Sequence, residues 1–346
     1  MSKVVVVGDT FVSSDTLKKA ATLMALPEPV EIVCLEWRSD DSPEEFQRNL
    51  KLIEQTGPEA LATSPEIMEE ITDADFLFVH LAPIPRKVVE AAKNLKLIGT
   101  CRGGVEHLDI TAAKEKMIPI IHVIRNAEPV ADYTIGLIYT VTRNIALSHA
   151  EVMKGRWAKK FPNDSYRTTL SNQVVGLVGL GHIGKMVAKR LNALGVKVIV
   201  YDPFIDQEKV KKSEFDVYFT SIEELFREAD IVSLHMRVTS ETENLIDENL
   251  LAMMKPSAYL INTARPGLLV KAAFIDVLKK QKIVGAAIDV IWEEPLALND
   301  PLLELDNLII TSHIAGDTVD AIPNSPFLLA QTVREYLKAG ESEFLI

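Results

Sequence analysis

The chain has 346 residues, 47% of them hydrophobic and 25% charged, and carries a formal net charge of −12. That is length for two ordinary domains and the composition of a globular protein, and no apolar run reaches the roughly 18 residues a membrane span needs. The acidic balance, without a basic arm or interleaved basic and aromatic residues, argues against nucleic acid and acidic lipid as main partners.

The N-terminal MSKVVVVGD lacks the long apolar core and cleavage site of a secretory signal, and its valines read as a first buried strand. Further strands are predicted at Val30–Leu35, Phe76–His80, Leu97–Gly99 and Ile118–Val123, with helical patterns around Thr16–Met24, Glu44–Glu54 and Arg86–Lys93. Strands alternating with helices predict a parallel sheet covered on both faces, here without a glycine fingerprint. Between strands, Arg102-Gly103-Gly104 is a turn that can point backbone N–H groups at an anion, and Glu106 with His107 reads as a solvated or helix-capping pair. Pro129 opens one long apolar helix expected to run to about Lys154, which must pack on more than one neighbour. Residues 155–173 read as irregular, with Trp157 and Phe161 marking a contact surface and Asn172 suited to a positive-φ turn.

Val174 to Asp202 follows, reading VVGLVGLGHIGKMVAKRLNALGVKVIVYD. Strand, glycine turn, helix, strand and acid are the full context of a dinucleotide fingerprint. Gly179 permits the tight turn, Gly181 admits a pyrophosphate, and Gly184 lets the helix pack closely. The N–H groups from Gly181 through His182 and Ile183 to Gly184 then meet phosphate charge at a helix start. Asp202 is placed to accept ribose hydroxyls and to repel a 2′-phosphate, so NAD is expected over NADP.

The later apolar runs are Ile231–Leu234, Ala258–Asn262, Val284–Ile288 and Leu308–Thr311, with helices at Ser221–Glu228, Val270–Gln281 and Ile322–Leu337. Just past these runs stand Ala264 and Arg265, then Asp289 and Glu294, then His313. Ligands of a doubly wound sheet sit outside the carboxyl ends of its strands. Taken singly, Arg265 is a surface ion pair, the two acids are caps, and His313 is a core histidine. Together, beside a fingerprint, they suit hydride transfer to or from a carboxylate-bearing substrate. The two cysteines, Cys34 and Cys101, lie outside any CxxC pattern and are expected as free thiols in a reducing cytoplasm. The seven histidines show no metal-ligand spacing, so no metal is expected.

In chain order, GGVEHLD, NAEPVADYTIGL, GLVGLGHIG, SLHMRVTSETENLI, MMKPSAYLINTAR, GAAIDVIWEEP and TSHIAGDT resemble the motifs of the D-isomer-specific 2-hydroxyacid dehydrogenases. The resemblance covers nearly the whole chain. It implies two doubly wound α/β domains: a Rossmann NAD-binding domain, 126–317, inserted into a flavodoxin-like substrate domain, 1–125 plus 318–346. It also implies a homodimer joined at the long helix and the Trp157 loop. By the same resemblance Arg265 would bind the substrate carboxylate and His313 would be general acid and base. Glu294 would pair with His313 and favour its protonated form. Asp289 would hold the nicotinamide carboxamide, Ala264 would lie against the cofactor, and backbone at Arg102, Gly103 and Gly104 would grip the carboxylate.

Some positions depart from the family pattern. Pro266 follows Arg265 where glycine is usual, which pushes Arg265 towards extended backbone. Arg237 stands where many members have proline, and Glu294 rather than glutamine argues against the formate dehydrogenase branch. Arg102, Arg38 and Arg86 are candidates by charge for a phosphorylated substrate. With the chain ending soon after His313, no C-terminal regulatory domain is expected. The alternative to a dehydrogenase is an NAD(H)-sensing corepressor-like protein on the same fold, disfavoured by the intact Arg265, Glu294 and His313.

Overall fold

The computed structural model describes residues 1–210 and 216–346. The chain divides into two units, one of Met1–Arg125 with Thr318–Ile346 and one of Asn126–Asp317. The first holds five strands: β1 (Ser2–Gly8), β2 (Val30–Glu36), β3 (Phe76–Val79), β4 (Leu97–Thr100) and β5 (Ile120–His122). All pair in parallel in the order β2-β1-β3-β4-β5, the flavodoxin-like arrangement whose switch point lies between β1 and β3.

The uninterrupted valines of β1 follow from burial on both faces. Val5 and Val7 pack with Leu77, Val79, Ile98 and Phe46, while Val4 and Val6 pack with Phe76, Phe78 and Leu97. The second group also includes Leu329, Ala330 and Val333 of the helix Ala321–Ala339, which is why the chain's last segment belongs to this unit. That helix ends at Gly340, φ 76°, and the terminal residues return to β5, with Ile346 N–H donating to the Ile120 carbonyl at 3.0 Å.

The second unit holds β6 (Val174–Val178), β7 (Lys197–Tyr201), β8 (Tyr218–Phe219), β9 (Ile231–Leu234), β10 (Tyr259–Asn262), β11 (Gly285–Ile288) and β12 (Leu308–Ile310). Their order is β12-β11-β10-β9-β6-β7-β8, all parallel, so the switch point falls between β6 and β9. This is the Rossmann order, and the glycine turn stands at its switch point.

Three sequence expectations need correction. The long helix is two, Ala127–Thr142 and Ile145–Met153, broken at Asn144, φ 57°. Asparagine tolerates the left-handed region, and Asn163 secures the break by accepting from Asn144 Nδ2 at 2.6 Å and donating to the Thr142 carbonyl at 3.1 Å. Asn172 takes no positive φ; it closes a short 3₁₀ turn, Leu170–Asn172. His107 is fully buried rather than solvated, with Nε2 2.9 Å from Thr100 Oγ1, and Asp109 caps the next helix instead. Trp157 is 78% exposed in this single chain, which leaves the expected contact surface uncovered. No helix among the described residues is long and apolar enough to cross a membrane.

Candidate active site

In the second unit the candidates stand along one sheet edge, because parallel strands bring their carboxyl ends together. Gly179 follows β6, Asp202 follows β7, Arg265 lies three residues past β10, Asp289 follows β11, and His313 lies three residues past β12.

The glycine turn is sterically obligatory at two of its three glycines. Gly179 has φ +100°, and a Cβ there would lie 2.9 Å from backbone of His235. A Cβ on Gly184 would lie 2.4 Å from the Gly179 carbonyl oxygen, so this residue lets the helix His182–Ala193 sit on the turn. Gly181 differs: a Cβ there meets nothing within 4 Å, and no side chain caps the helix start at this residue. Open backbone at an uncapped helix N-terminus fits a pyrophosphate. Asp202 accepts from Leu180 N–H at 2.7 Å and Phe204 N–H at 2.9 Å, so it braces the turn from β7. A carboxylate with about four lone-pair sites keeps capacity for ribose hydroxyls. These residues fit a dinucleotide.

His235, which follows β9 beside the same turn, was not singled out from the sequence. Its Nε2 lies 2.9 Å from Ser233 Oγ, and burial pushes its pKa down to about 4. Burial also lowers His80 and His107. All three histidines are therefore neutral in the folded chain, whereas the unfolded chain binds their protons below about pH 6.5. Stability is full above that pH and is lost as pH falls towards 4, by about 3 kcal/mol across the window for His235 alone. Urea unfolding midpoints should accordingly be lower at pH 5 than at pH 7; equal midpoints would sink this expectation.

At β10, Asn262 is buried and shapes the turn that carries Arg265. Its Oδ1 accepts from Ala264 N–H at 3.0 Å and its Nδ2 donates to the Arg265 carbonyl at 3.0 Å. Arg265 has φ −147° and ψ 142°, the extended backbone that Pro266 imposes, and its Nη1 donates to the Ala264 carbonyl at 2.7 Å. The guanidinium is exposed.

His313 and Glu294 meet directly: Nδ1 lies 3.0 Å from both carboxylate oxygens. His313 has φ 59°, an uncommon conformation for a residue with a side chain. Asp289 holds that turn. Its carboxylate, 1% exposed, accepts from Thr311 Oγ1 at 2.6 Å, Ile314 N–H at 3.1 Å and Ala315 N–H at 2.8 Å. So the acid expected at a nicotinamide carboxamide is first a brace for the histidine, a task that its position in the sequence did not announce.

In the first unit, Arg102, Gly103 and Gly104 follow β4. Neither glycine has a positive φ, and Arg102 Nη2 donates to Glu54 at 2.8 Å. Of the other arginines noted by charge, Arg86 is taken up by Glu115, Glu90 and Asp109, and Arg38 by Asp41. Sequence reasoning missed Arg125, whose Nη1 lies 3.2 Å from His80 Nε2. The described residues contain no group of three or more His, Cys, Asp or Glu placed to hold a metal.

A Rossmann sheet with an open glycine turn at its switch point defines a dinucleotide-binding unit, and a strand-end arginine and a braced His–Glu pair stand past the carboxyl ends of its strands. The family model for the D-isomer specific 2-hydroxyacid dehydrogenase NAD binding domain matches residues 135–315. The chain is 39% identical over 281 residues to a glyoxylate reductase from Thermofilum pendens, covering 79% of this chain and 81% of that one. It is 35% identical over 303 residues to a D-3-phosphoglycerate dehydrogenase from Methanocaldococcus jannaschii, covering 86% of this chain and 57% of that one. The chain thus spans little more than half of that longer relative. Its fold is similar to that of a D-isomer specific 2-hydroxyacid dehydrogenase from Lactobacillus delbrueckii ssp. bulgaricus in its NAD complexed form, with TM-score 0.71, 23% identity and full coverage of both chains. The chain belongs to the D-isomer-specific 2-hydroxyacid dehydrogenases, a family of NAD-dependent enzymes.

Proposed function

We propose that this chain interconverts a 2-keto acid and a D-2-hydroxy acid with NAD(H). The observation that carries the reading is the His313–Glu294 pair, both carboxylate oxygens 3.0 Å from Nδ1, on a turn held by Asp289. With Nδ1 committed to Glu294, Nε2 is the nitrogen left to exchange a proton with substrate. In the reducing direction it gives that proton to the carbonyl oxygen at C2; in the oxidising direction it takes it back. NAD, when bound, supplies or accepts the hydride at C2. Arg265 binds the substrate carboxylate through its planar fork and orients the carbonyl, and the backbone N–H groups of residues 102–104 serve as carboxylate donors. The cofactor is held by Gly179, Gly181, His182, Ile183, Gly184, Asp202 and Ala264, and Asp289 offers its remaining lone-pair capacity to the carboxamide. The chain works as a cytoplasmic homodimer joined through Ile145–Met153 and the exposed Trp157.

NADH oxidation measured against glyoxylate, pyruvate, hydroxypyruvate, oxaloacetate and phosphohydroxypyruvate tests the reading. Turnover of at least one is expected. Tight NADH binding with no turnover on any overturns it in favour of an NAD(H)-sensing corepressor-like protein. Asp202→Asn keeps an acceptor for Leu180 N–H but removes the charge that repels a 2′-phosphate. It is expected to raise the ratio of kcat/KM with NADPH to that with NADH by about tenfold, the order of one lost charged contact. An unmodified chain that already prefers NADPH would contradict the role given to Asp202.

A further inference from the structure

Ligands of the second unit's sheet gather between the loops that follow β6 and β9, the two strands at its switch point. The loop after β6 carries the glycines. The loop after β9, residues 235–242, lies against them with its first residues. His235 N–H donates to the Val178 carbonyl at 2.8 Å, and a Cβ on Gly179 would lie 2.7 Å from Met236 Cγ. Further along, a Cβ on Gly267 would lie 3.4 Å from Val238 Cγ2, so the same loop reaches the turn that begins at Arg265. Arg237 stands between these two points of contact.

Its backbone is held and its side chain is not. Buried Thr242 donates from Oγ1 to the Arg237 carbonyl at 2.6 Å and accepts from Thr239 N–H at 2.8 Å, which closes the loop. Met236 is buried, whereas Arg237 is exposed, and no hydrogen bond or ion pair among the described residues reaches its guanidinium. Other cations of this unit are matched: Arg190 meets Glu128 and Asp132, Lys255 meets Asp230, and Lys271 meets Asp300. Carboxylates are plentiful in a chain of formal net charge −12, so an arginine left without one beside this crevice is open to an anionic ligand. The helix His182–Ala193 starts uncapped at Gly181, yet a helix end carries only about half a positive charge, which leaves most of a pyrophosphate's charge unmatched. Asp202, which accepts from Leu180 N–H in the same turn, adds negative charge there.

We propose that Arg237 holds the ADP half of NAD, its guanidinium pairing with the pyrophosphate from the loop after β9. This rests on the assignment of the glycine turn to NAD and goes beyond it, since the proline that many members carry at this place has neither charge nor donor. Arg237 is then a cofactor-binding residue that this chain adds to the fingerprint.

Calorimetric titration of the unmodified chain and of Arg237→Gln with ADP-ribose, ADP and adenosine tests this without turnover. In Arg237→Gln the dissociation constants of ADP-ribose and ADP should rise by about tenfold or more, the order of one charge-assisted hydrogen bond. That of adenosine, which has no phosphate, should stay within about twofold, a difference smaller than such a bond supplies. Arg237→Lys should recover part of the loss, because a point charge still meets phosphate. Added salt should weaken ADP-ribose binding more steeply in the unmodified chain than in Arg237→Gln. Both variants should keep the melting temperature of the unmodified chain, since the side chain is exposed and no described residue bonds to it. ADP-ribose binding that Arg237→Gln leaves unchanged overturns the inference. An equal loss for adenosine also overturns it, by putting the guanidinium on the base or ribose; where adenosine binds too weakly to titrate, equal salt slopes do the same. If neither ADP-ribose nor NADH binds the unmodified chain, the assignment of the glycine turn to NAD fails, and the inference falls with it.

Discussion

Replacement of His313 by glutamine is expected to lower kcat for 2-keto acid reduction by about three orders of magnitude, within the range for a positioned general acid. NADH affinity should change little, because the glycine turn and Asp202 lie after other strands and share no hydrogen bond with His313. The size of the effect follows from how much of the local structure serves this one side chain. Glu294 fixes the ring through both oxygens, and Asp289 fixes the left-handed turn through three donors. Asp289→Asn, which puts a donor where a backbone N–H points, should therefore lower kcat by about tenfold or more even though His313 remains, as a small misplacement of a catalytic group does. Stopped-flow NADH oxidation and equilibrium NADH fluorescence check both statements. Survival of more than a tenth of the activity in His313→Gln would refute the assigned proton donor.

If Arg265 binds the substrate carboxylate as proposed, Arg265→Met is expected to lower kcat/KM by about three orders of magnitude, since a bidentate charge-assisted contact would be lost together with its orientation. Arg265→Lys should recover only a small part, because an ammonium lacks the planar fork. Here the backbone sets the aim. Pro266 holds Arg265 extended, and Asn262 ties both ends of the turn, taking Ala264 N–H and donating to the Arg265 carbonyl. A lysine variant with more than half of the original kcat/KM would show that a point charge suffices and that the fork has no role.

Much of this architecture is legible in order along the chain, because the signals are local. A parallel strand buried on both faces needs an unbroken apolar run, and β1, β6 and β10 each show one. Glycines at 179, 181 and 184 sit where a strand must turn into a helix, and Arg265, Asp289 and His313 stand just past strand ends. The break at Asn144 is different. Nothing between Pro129 and Lys154 interrupts the helical spacing, and the residue that secures the break, Asn163, lies 19 positions away. His107 is likewise polar in a glycine-rich stretch and reads as solvated until β4 and the turn after it bury it against Thr100.

The sequence by itself determined two parallel-sheet units, the dinucleotide turn and the residues that stand at its sheet edge, since period, glycine spacing and strand ends are properties of neighbouring residues. Only the tertiary structure decided what those residues do to one another. It put Asp289 under a histidine turn 26 positions on, and Asp9 against a histidine 71 positions on whose other ring nitrogen meets Arg125. Such pairings arise when separate strands of a parallel sheet bring their carboxyl ends side by side, an adjacency set by strand order and not by spacing along the chain.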